Sequence, residues 1–321
     1  MMKFCDIQLE DKFLIESFTK QWESENAEMS FAHIYMWSSN SKIQYAIENE
    51  VLYFKLDFPQ ETIFLWAPVP KNKSISPSEY GEAVRKGFSY LKSIGVEPSF
   101  RSVASPFLEL IQKGCPELSL HTAPWNFDYV YSSEDLITLK GRKYHGKRGH
   151  IKKITNLYPN YEYIPLESSM TKECMELYDR WREKHFEKTI DQYDERSSVE
   201  RALLNLEKLN LTGGCICING EIKAFTIGEK ILSNMCQIHI EKADDDIDGL
   251  YPLINQEYAS HMCNDVEYIN REEDMGLEGL RKAKRSYYPV KMVEKYNATS
   301  AGKIICGETE DIIEDSCVLA R

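Results

Sequence analysis

Two hydrophobic periods alternate along the chain, and the second half shows them most clearly. YEYIPL (161–166) predicts a short strand, and residues 172–186 predict a helix with Cys174, Leu177, Tyr178 and Trp181 on one face. Ser197 and Glu200 have the spacing of a capping box for a second helix, whose inner face carries Val199, Ala202, Leu203, Leu206 and Leu209. In CICINGEIKAFTIGEK, Asn219-Gly220 separates two β-rich runs, the short-range mark of a hairpin. MCQIHIE predicts a strand with Met235, Gln237, His239 and Glu241 facing one way and Cys236, Ile238 and Ile240 the other. A helix over 250–262, a strand over 266–270, a helix over 277–287 and a strand over 290–296 complete the order β-α-α-β-β-β-α-β-α-β.

The first half repeats this order. Helices over 11–23 and 30–38 precede a hairpin in IQYAIENEVLYFKLDF and a strand in TIFLWAPV. A helix over 78–94, a strand in PSFRSV, a helix over 105–113 and strands near 118–122 and 126–131 follow. IENEVLYFKL and INGEIKAFTI occupy equivalent slots, which points to an internal duplication. The expected architecture is α/β (α+β), two tandem lobes that each hold a mixed, mainly antiparallel sheet flanked by helices. The expected boundaries are an N-terminal lobe over 1–132, a basic linker helix over 133–158 and a C-terminal lobe over 159–321.

A chain of 321 residues with 42% hydrophobic content has ample material for two packed cores. Its net charge of −12 repels nucleic acid and anionic membrane, so a polyanion partner needs a locally basic patch. Nine cysteines, an odd number without a CxxC pair, fit reduced thiols rather than a disulfide framework. The seven histidines have no metal-ligand spacing, so no metal is expected. No run reaches the roughly 18 apolar residues of a membrane span, and the acidic N-terminus is unlike a secretion signal. A soluble cytoplasmic protein is expected.

The basic patch lies in KGRKYHGKRGHIKK (140–153), where Lys140, Arg142, Lys143, Lys147, Arg148, Lys152 and Lys153 occur without an acid. On a helix, Tyr144, Ile151, Ile154 and Tyr158 turn inward, Arg142, Lys143, Lys152 and Lys153 turn outward, and Lys147 and Arg148 lie at the borders. Such a cluster suits phosphate contact; a solvated inter-lobe helix is the plainer reading. NREEDMGLEGLRKAKRSYYP (270–289) follows a strand, where α/β folds commonly place their sites. Asn270, Arg271, Glu272, Glu273 and Asp274 precede a helix carrying Arg281, Lys282, Lys284 and Arg285. Asp274 is expected either to cap this helix or to oppose a cationic amino group.

The element order resembles the GNAT acyltransferase fold, and the two quoted blocks resemble the C-terminal region of phosphatidylglycerol lysyltransferases, over about residues 20–297. That resemblance implies acyl transfer, with an aminoacyl-tRNA as donor and an amine or hydroxyl, of a small molecule or lipid, as acceptor. It implies no permanently bound cofactor. It assigns the basic run to tRNA phosphates and Glu272–Asp274 to the donor's ammonium group. It also makes Tyr287 or Tyr288 the proton donor to the leaving group, and His239 and Glu241 the candidate bases. In acyl-CoA-using GNAT lobes a glycine-rich loop follows the central strand. Here Gly249 is preceded by Asp244, Asp245, Asp246 and Asp248, whose charges repel a pyrophosphate. An acyl-CoA-dependent N-acyltransferase is therefore the second expectation, and a non-catalytic module for a phosphorylated ligand or a protein is the third.

Overall fold

The computed structural model describes residues 2–39, 42–58, 62–185 and 195–300. The first half runs β1 (Cys5–Asp6), α1 (Lys12–Thr19), α2 (Phe31–Trp37), β2 (Gln44–Glu48), β3 (Val51–Leu56), β4 (Phe64–Trp66), β5 (Val69–Pro70), α3 (Pro77–Ser93), β6 (Ser99–Val103), α4 (Phe107–Gly114) and β7 (Leu118–Thr122). Then come β8 (Asp128–Ser132), α5 (Ser133–Thr138) and α6 (His145–Leu157). The second half runs β9 (Glu162–Pro165), α7 (Thr171–His185), α8 (Glu195–Leu204), α9 (Leu206–Leu209), β10 (Thr212–Ile218), β11 (Glu221–Leu232), β12 (Met235–Ala243), α10 (Leu250–Met262), β13 (Tyr268–Asn270), α11 (Glu278–Arg285), β14 (Lys291–Val293) and β15 (Tyr296–Ser300). Residue 186 of the helix expected over 172–186, and residues 301–321 of the expected second lobe, lie outside the described residues.

The linker helix expected over 133–158 is broken, because Leu139 and Gly141 adopt positive φ of 47° and 91° and turn the chain between α5 and α6. Ser197 sits inside the first turn of α8, which already begins at Glu195, so it is not the residue ahead of the helix. The strand expected over 290–296 divides into β14 and β15 because its two ends belong to different sheets.

One sheet has the order β1-β2-β3-β4-β6-β15-β7, with β5 also on β3; the other has the order β14-β8-β13-β12-β11-β10-β9. Each half thus gives a strand to its neighbour. β8, which precedes the sequence boundary at 132, pairs antiparallel with β13 and β14 of the second sheet. β15 inserts between β6 and β7 of the first. A buried ion cluster pins this exchange. Lys295, just before β15, has a fully buried side chain whose Nζ lies 2.6 Å from Asp128 Oδ1 and 2.7 Å from Glu28 Oε2. The halves also meet where α2 packs on α8, with the Arg201 guanidinium 4.0 Å from the Tyr35 ring centre.

β12 does not alternate as expected. Ile227 pairs with Ile240 but Gly228 pairs with Ile238, so His239 is the extra residue of a β-bulge. Ile238 accordingly packs with Tyr258 and Ala259 of α10. Ile240 turns to the opposite core with Leu177 and Phe225. Gly228 is required here: a Cβ would stand 2.2 Å from the Gln237 carbonyl oxygen and 2.7 Å from the Tyr258 hydroxyl. The bulge sends His239 and Glu241 to different faces of the sheet.

Candidate active site

Parallel pairing of β12 with β13 ends at Gln237 and Asn270, after which β12 continues to Ala243 and the chain beyond Asn270 turns away. The turn contains Glu272, Met275 and Gly276 at positive φ. It is held by the buried Lys284, whose ammonium donates to the carbonyls of Arg271 at 2.5 Å, of Glu272 at 2.9 Å and of Glu273. Burial pulls the Lys284 pKa down to about 8, even with acids nearby. The result is a gap between two strands, with Arg271 and Glu272 directed to its opposite faces.

On the α10 face, Arg271 Nη2 donates to Glu241 Oε1 at 2.9 Å, and Asn255 Nδ2 donates to Glu241 Oε2 at 3.0 Å. The Arg271 guanidinium also lies 4.7 Å from the centre of the Tyr287 ring. Lys147, from α6, places its Nζ 3.8 Å over the same ring. Burial and the neighbouring Arg271 lower the Lys147 pKa to about 8. Burial raises that of Tyr287, so its phenol stays protonated in neutral solution. The Tyr287 phenol, the Arg271 guanidinium and an amine whose pKa is lowered to about 8 thus share a site with the Glu241 carboxylate. Such a set can donate a proton, accept one and stabilise an oxyanion.

On the inter-lobe face, His239 Nδ1 lies 2.8 Å from Glu272 Oε1 and its Nε2 lies 3.1 Å from Glu229 Oε1. His33 Nδ1, from α2, lies 3.3 Å from the same Glu272 oxygen, and Gln237 Nε2 donates to it at 2.7 Å. Burial opposes a charged imidazole, but the two glutamates outweigh it and raise the His239 pKa to about 9. Burial likewise opposes the Glu272 carboxylate, and the histidines hold its pKa well below the usual range. The His239 side chain is 0% exposed and its two nitrogens are both engaged, which removes it as a free base. Glu241 is held in place by Arg271 and Asn255, which leaves it an orienting partner.

The remaining candidates divide clearly. Asp274 is 1% exposed and accepts from Tyr129, from the Gly276 amide and, through both oxygens, from Arg281. Burial alone would raise its pKa, but these bonds hold it low. Asp274 therefore faces Arg281 and not a substrate ammonium. Asn270 is fully buried and bonds Asp128 and the Glu25 carbonyl, a structural role. Burial raises the Glu273 pKa, with Lys295 and Lys284 as its cationic neighbours. Lys284 is spent on backbone carbonyls, and the Glu272 and Asp274 carboxylates are taken up by His33, His239 and Gln237 and by Tyr129 and Arg281. Tyr288 is 46% exposed at positive φ and stands edge-on to Tyr144.

Of the lysines and arginines in the basic run only Lys147 turns inward. Lys140 and Lys143 pair with Glu134 and Asp135, Lys153 pairs with Asp248, and Arg148 donates to the carbonyls of Leu139 and Gly141. All of these, with Arg142 and Lys152, are exposed, Lys140, Arg142 and Lys143 in the turn ahead of α6 and the others on α6 itself. A hollow of about 260 Å³ is lined by Leu177, Arg180, Trp181, Lys184 and Asp244–Asp246, and none of residues 140–153 borders it. The acids after β12 are compensated: Lys184 approaches Asp244, Asp245 and Asp246, and His150 and Lys153 hold Asp248. Asn255, Glu229 and His33 were not singled out from the sequence. His33 had a signal, as the one imidazole in the largely apolar run FAHIYMW; Asn255 had none.

Residues 19–299 match the family described as phosphatidylglycerol lysyltransferase, C-terminal. A solved structure of a conserved protein of unknown function from Bacteroides thetaiotaomicron is similar, with a TM-score of 0.84 and 35% identity, covering 94% of this chain and 100% of that one. The C-terminal domain of a putative lysylphosphatidylglycerol synthetase from Agrobacterium fabrum shares the fold, with a TM-score of 0.64 and 14% identity over 92% and 93% of the two chains. A tandem GNAT protein from the clavulanic acid biosynthesis pathway shares the fold as well, with a TM-score of 0.50 and 8% identity over 95% and 100% of the two chains. An uncharacterised protein of Mycoplasmoides gallisepticum is 25% identical over 196 residues, and the match spans 58% of each chain.

Proposed function

The chain belongs to the phosphatidylglycerol lysyltransferase C-terminal family, and we propose from that premise that it is an acyltransferase taking an aminoacyl group from tRNA. The observation that carries this reading is the Tyr287 phenol lying under Lys147 and beside Arg271, where β12 and β13 part. Fold alone would not support it.

In the proposed reaction an amine or hydroxyl acceptor, on a small molecule or a lipid, attacks the carbonyl carbon of the aminoacyl ester. Lys147, in its neutral form, takes the acceptor's proton as the new C–N or C–O bond forms. Arg271, held by Glu241, stabilises the oxyanion. Collapse breaks the ester C–O bond, and Tyr287 gives its proton to the departing ribose oxygen. The exposed cations of 140–153, above all Arg142 and Lys152, contact tRNA phosphates. His239 and Glu272 take no part in proton transfer.

A second reading, acyl-CoA as donor, gains from the compensation of Asp244–Asp246 and Asp248 by Lys184, Lys153 and His150. The charge objection to a pyrophosphate near α10 is correspondingly weaker. The two readings separate in one experiment. Purified protein is given tRNA charged with labelled amino acids, or a panel of acyl-CoAs, together with lipid and polar extracts as acceptors. Label moving from tRNA into a new product supports the first reading. Thiol release with no tRNA discharge replaces it with the second.

A further inference from the structure

We infer that His33, His239 and Glu272 form a binding site for a divalent d-block cation of the zinc class, which clasps the two halves of the molecule. One ligating atom from each of these residues lies within 4.8 Å of the others. Glu272 Oε1 is shared, 2.8 Å from His239 Nδ1 and 3.3 Å from His33 Nδ1. Two imidazoles and one carboxylate, with further positions left open, are a common donor set for zinc and for iron(II). The three come from α2, from the bulge of β12 and from the turn after β13, so no spacing along the chain reveals them.

The surroundings are built as they are around metal-binding histidines. The far nitrogen of His239 faces the Glu229 carboxylate at 3.1 Å, and Ser30 of the first half donates to the same Glu229 oxygen. A carboxylate behind an imidazole fixes the tautomer and leaves the lone pair on Nδ1, toward Glu272. Gln237 is 0% exposed, and its amide nitrogen lies 2.7 Å from Glu272 Oε1 and 3.3 Å from His239 Nδ1. Its carbonyl oxygen is buried without a partner among the described residues. Rotation of the amide would present that oxygen to the same point as a fourth ligand.

The charges agree. Among the described residues, Glu229 and Glu272 form ion pairs only with histidine. A divalent ion would displace the imidazole protons and leave two neutral imidazoles beside two part-buried carboxylates, whose two negative charges it balances. Such an ion would join α2 to the second sheet, and its binding energy would add to the stability of the assembled halves. This inference is independent of the transferase reading, because its readouts are metal content and stability.

The test uses the full chain, purified after growth with added zinc and dialysed without chelator. Elemental analysis is expected to give close to one zinc per chain. Replacement by Co²⁺ should give visible d–d absorption, and chelation should lower the Tm. His33→Ala and His33→Gln should both lose the metal while keeping the circular dichroism of the wild type. Glu229→Gln should weaken zinc about 10–100-fold. Two results would overturn the inference. One is a chain that is metal-free as purified and that neither binds equimolar Zn²⁺ or Co²⁺ nor gains Tm from them. The other is metal retained undiminished in both His33 variants.

Discussion

Arg271 and Glu241 meet at 2.9 Å across the point where β12 and β13 separate. Their side chains are only 12% and 11% exposed, so the contact is shielded from solvent and salt. It orients Arg271 toward Tyr287. Removing one partner of a buried pair leaves the other charge uncompensated. Glu241→Ala should therefore destabilise the fold by about 3 kcal/mol, read from the urea midpoint, and should cut transfer at least tenfold in whatever protein remains folded. An unchanged midpoint would show that Arg271 is held by other contacts.

Tyr287→Phe removes only the phenolic oxygen and keeps the ring beneath Lys147. The proposed acid role predicts a fall in kcat of about 10²-fold, with KM and Tm nearly unchanged. Tyr288→Phe should leave kcat alone, since that ring is half exposed and turned toward Tyr144. Equal losses in the two variants would argue that the tyrosines serve packing or substrate binding.

Lys147 gives a pH signature in both activity and stability. Burial brings its pKa to about 8 in the folded chain, against about 10.4 when unfolded. Below pH 8 both states hold the proton, and the cost of the buried ammonium is fully present. Between about 8 and 10.4 the unfolded chain binds a proton that the folded chain does not, so stability from this group rises with pH across that window. Wild type minus Lys147→Met stability should grow between pH 7 and pH 9.5 in urea titrations. The transfer rate should rise through about pH 8 in the wild type, and Lys147→Met should lose both the rise and most of the rate.

The strand exchange predicts that the halves fold together. A fragment over 1–132 would carry β8 away from its sheet and lack β15, leaving β6 and β7 without the strand between them. It should show no cooperative unfolding transition. In the full chain, Lys295→Met would bury Asp128 and Glu28 without their cation and should cost about 3–5 kcal/mol, in a single transition for both halves. A native-like melt from the isolated fragment would contradict this.

Much of the fold was legible in the local pattern, and the sites were less so. Asn219 and Gly220, at φ of 54° and 80°, form the expected hairpin turn between β10 and β11. Alternation could not show the bulge at His239, because one extra residue changes no letter of the pattern and reverses every side chain beyond it. Nor does local periodicity say which sheet a strand joins, so β8 and β15 sat on the wrong side of the expected boundary. The basic run was visible from composition alone. That Lys147 alone turns inward, from a border position on its helix, depends on Tyr287 and Arg271, more than a hundred residues away. Asp274 was noticed for its place ahead of a helix, but Arg281, one helical turn into that helix, takes up its charge.

The most direct measurement is single-turnover discharge of labelled aminoacyl-tRNA by the wild-type chain and by Tyr287→Phe, with cellular lipid and polar extracts supplying the acceptor. An aminoacyl transferase working through the split between β12 and β13 should move label into an acylated product well above spontaneous hydrolysis, and Tyr287→Phe should do so about 10²-fold more slowly. Discharge at the background rate with every aminoacyl-tRNA, or equal rates for the two proteins, would contradict the account.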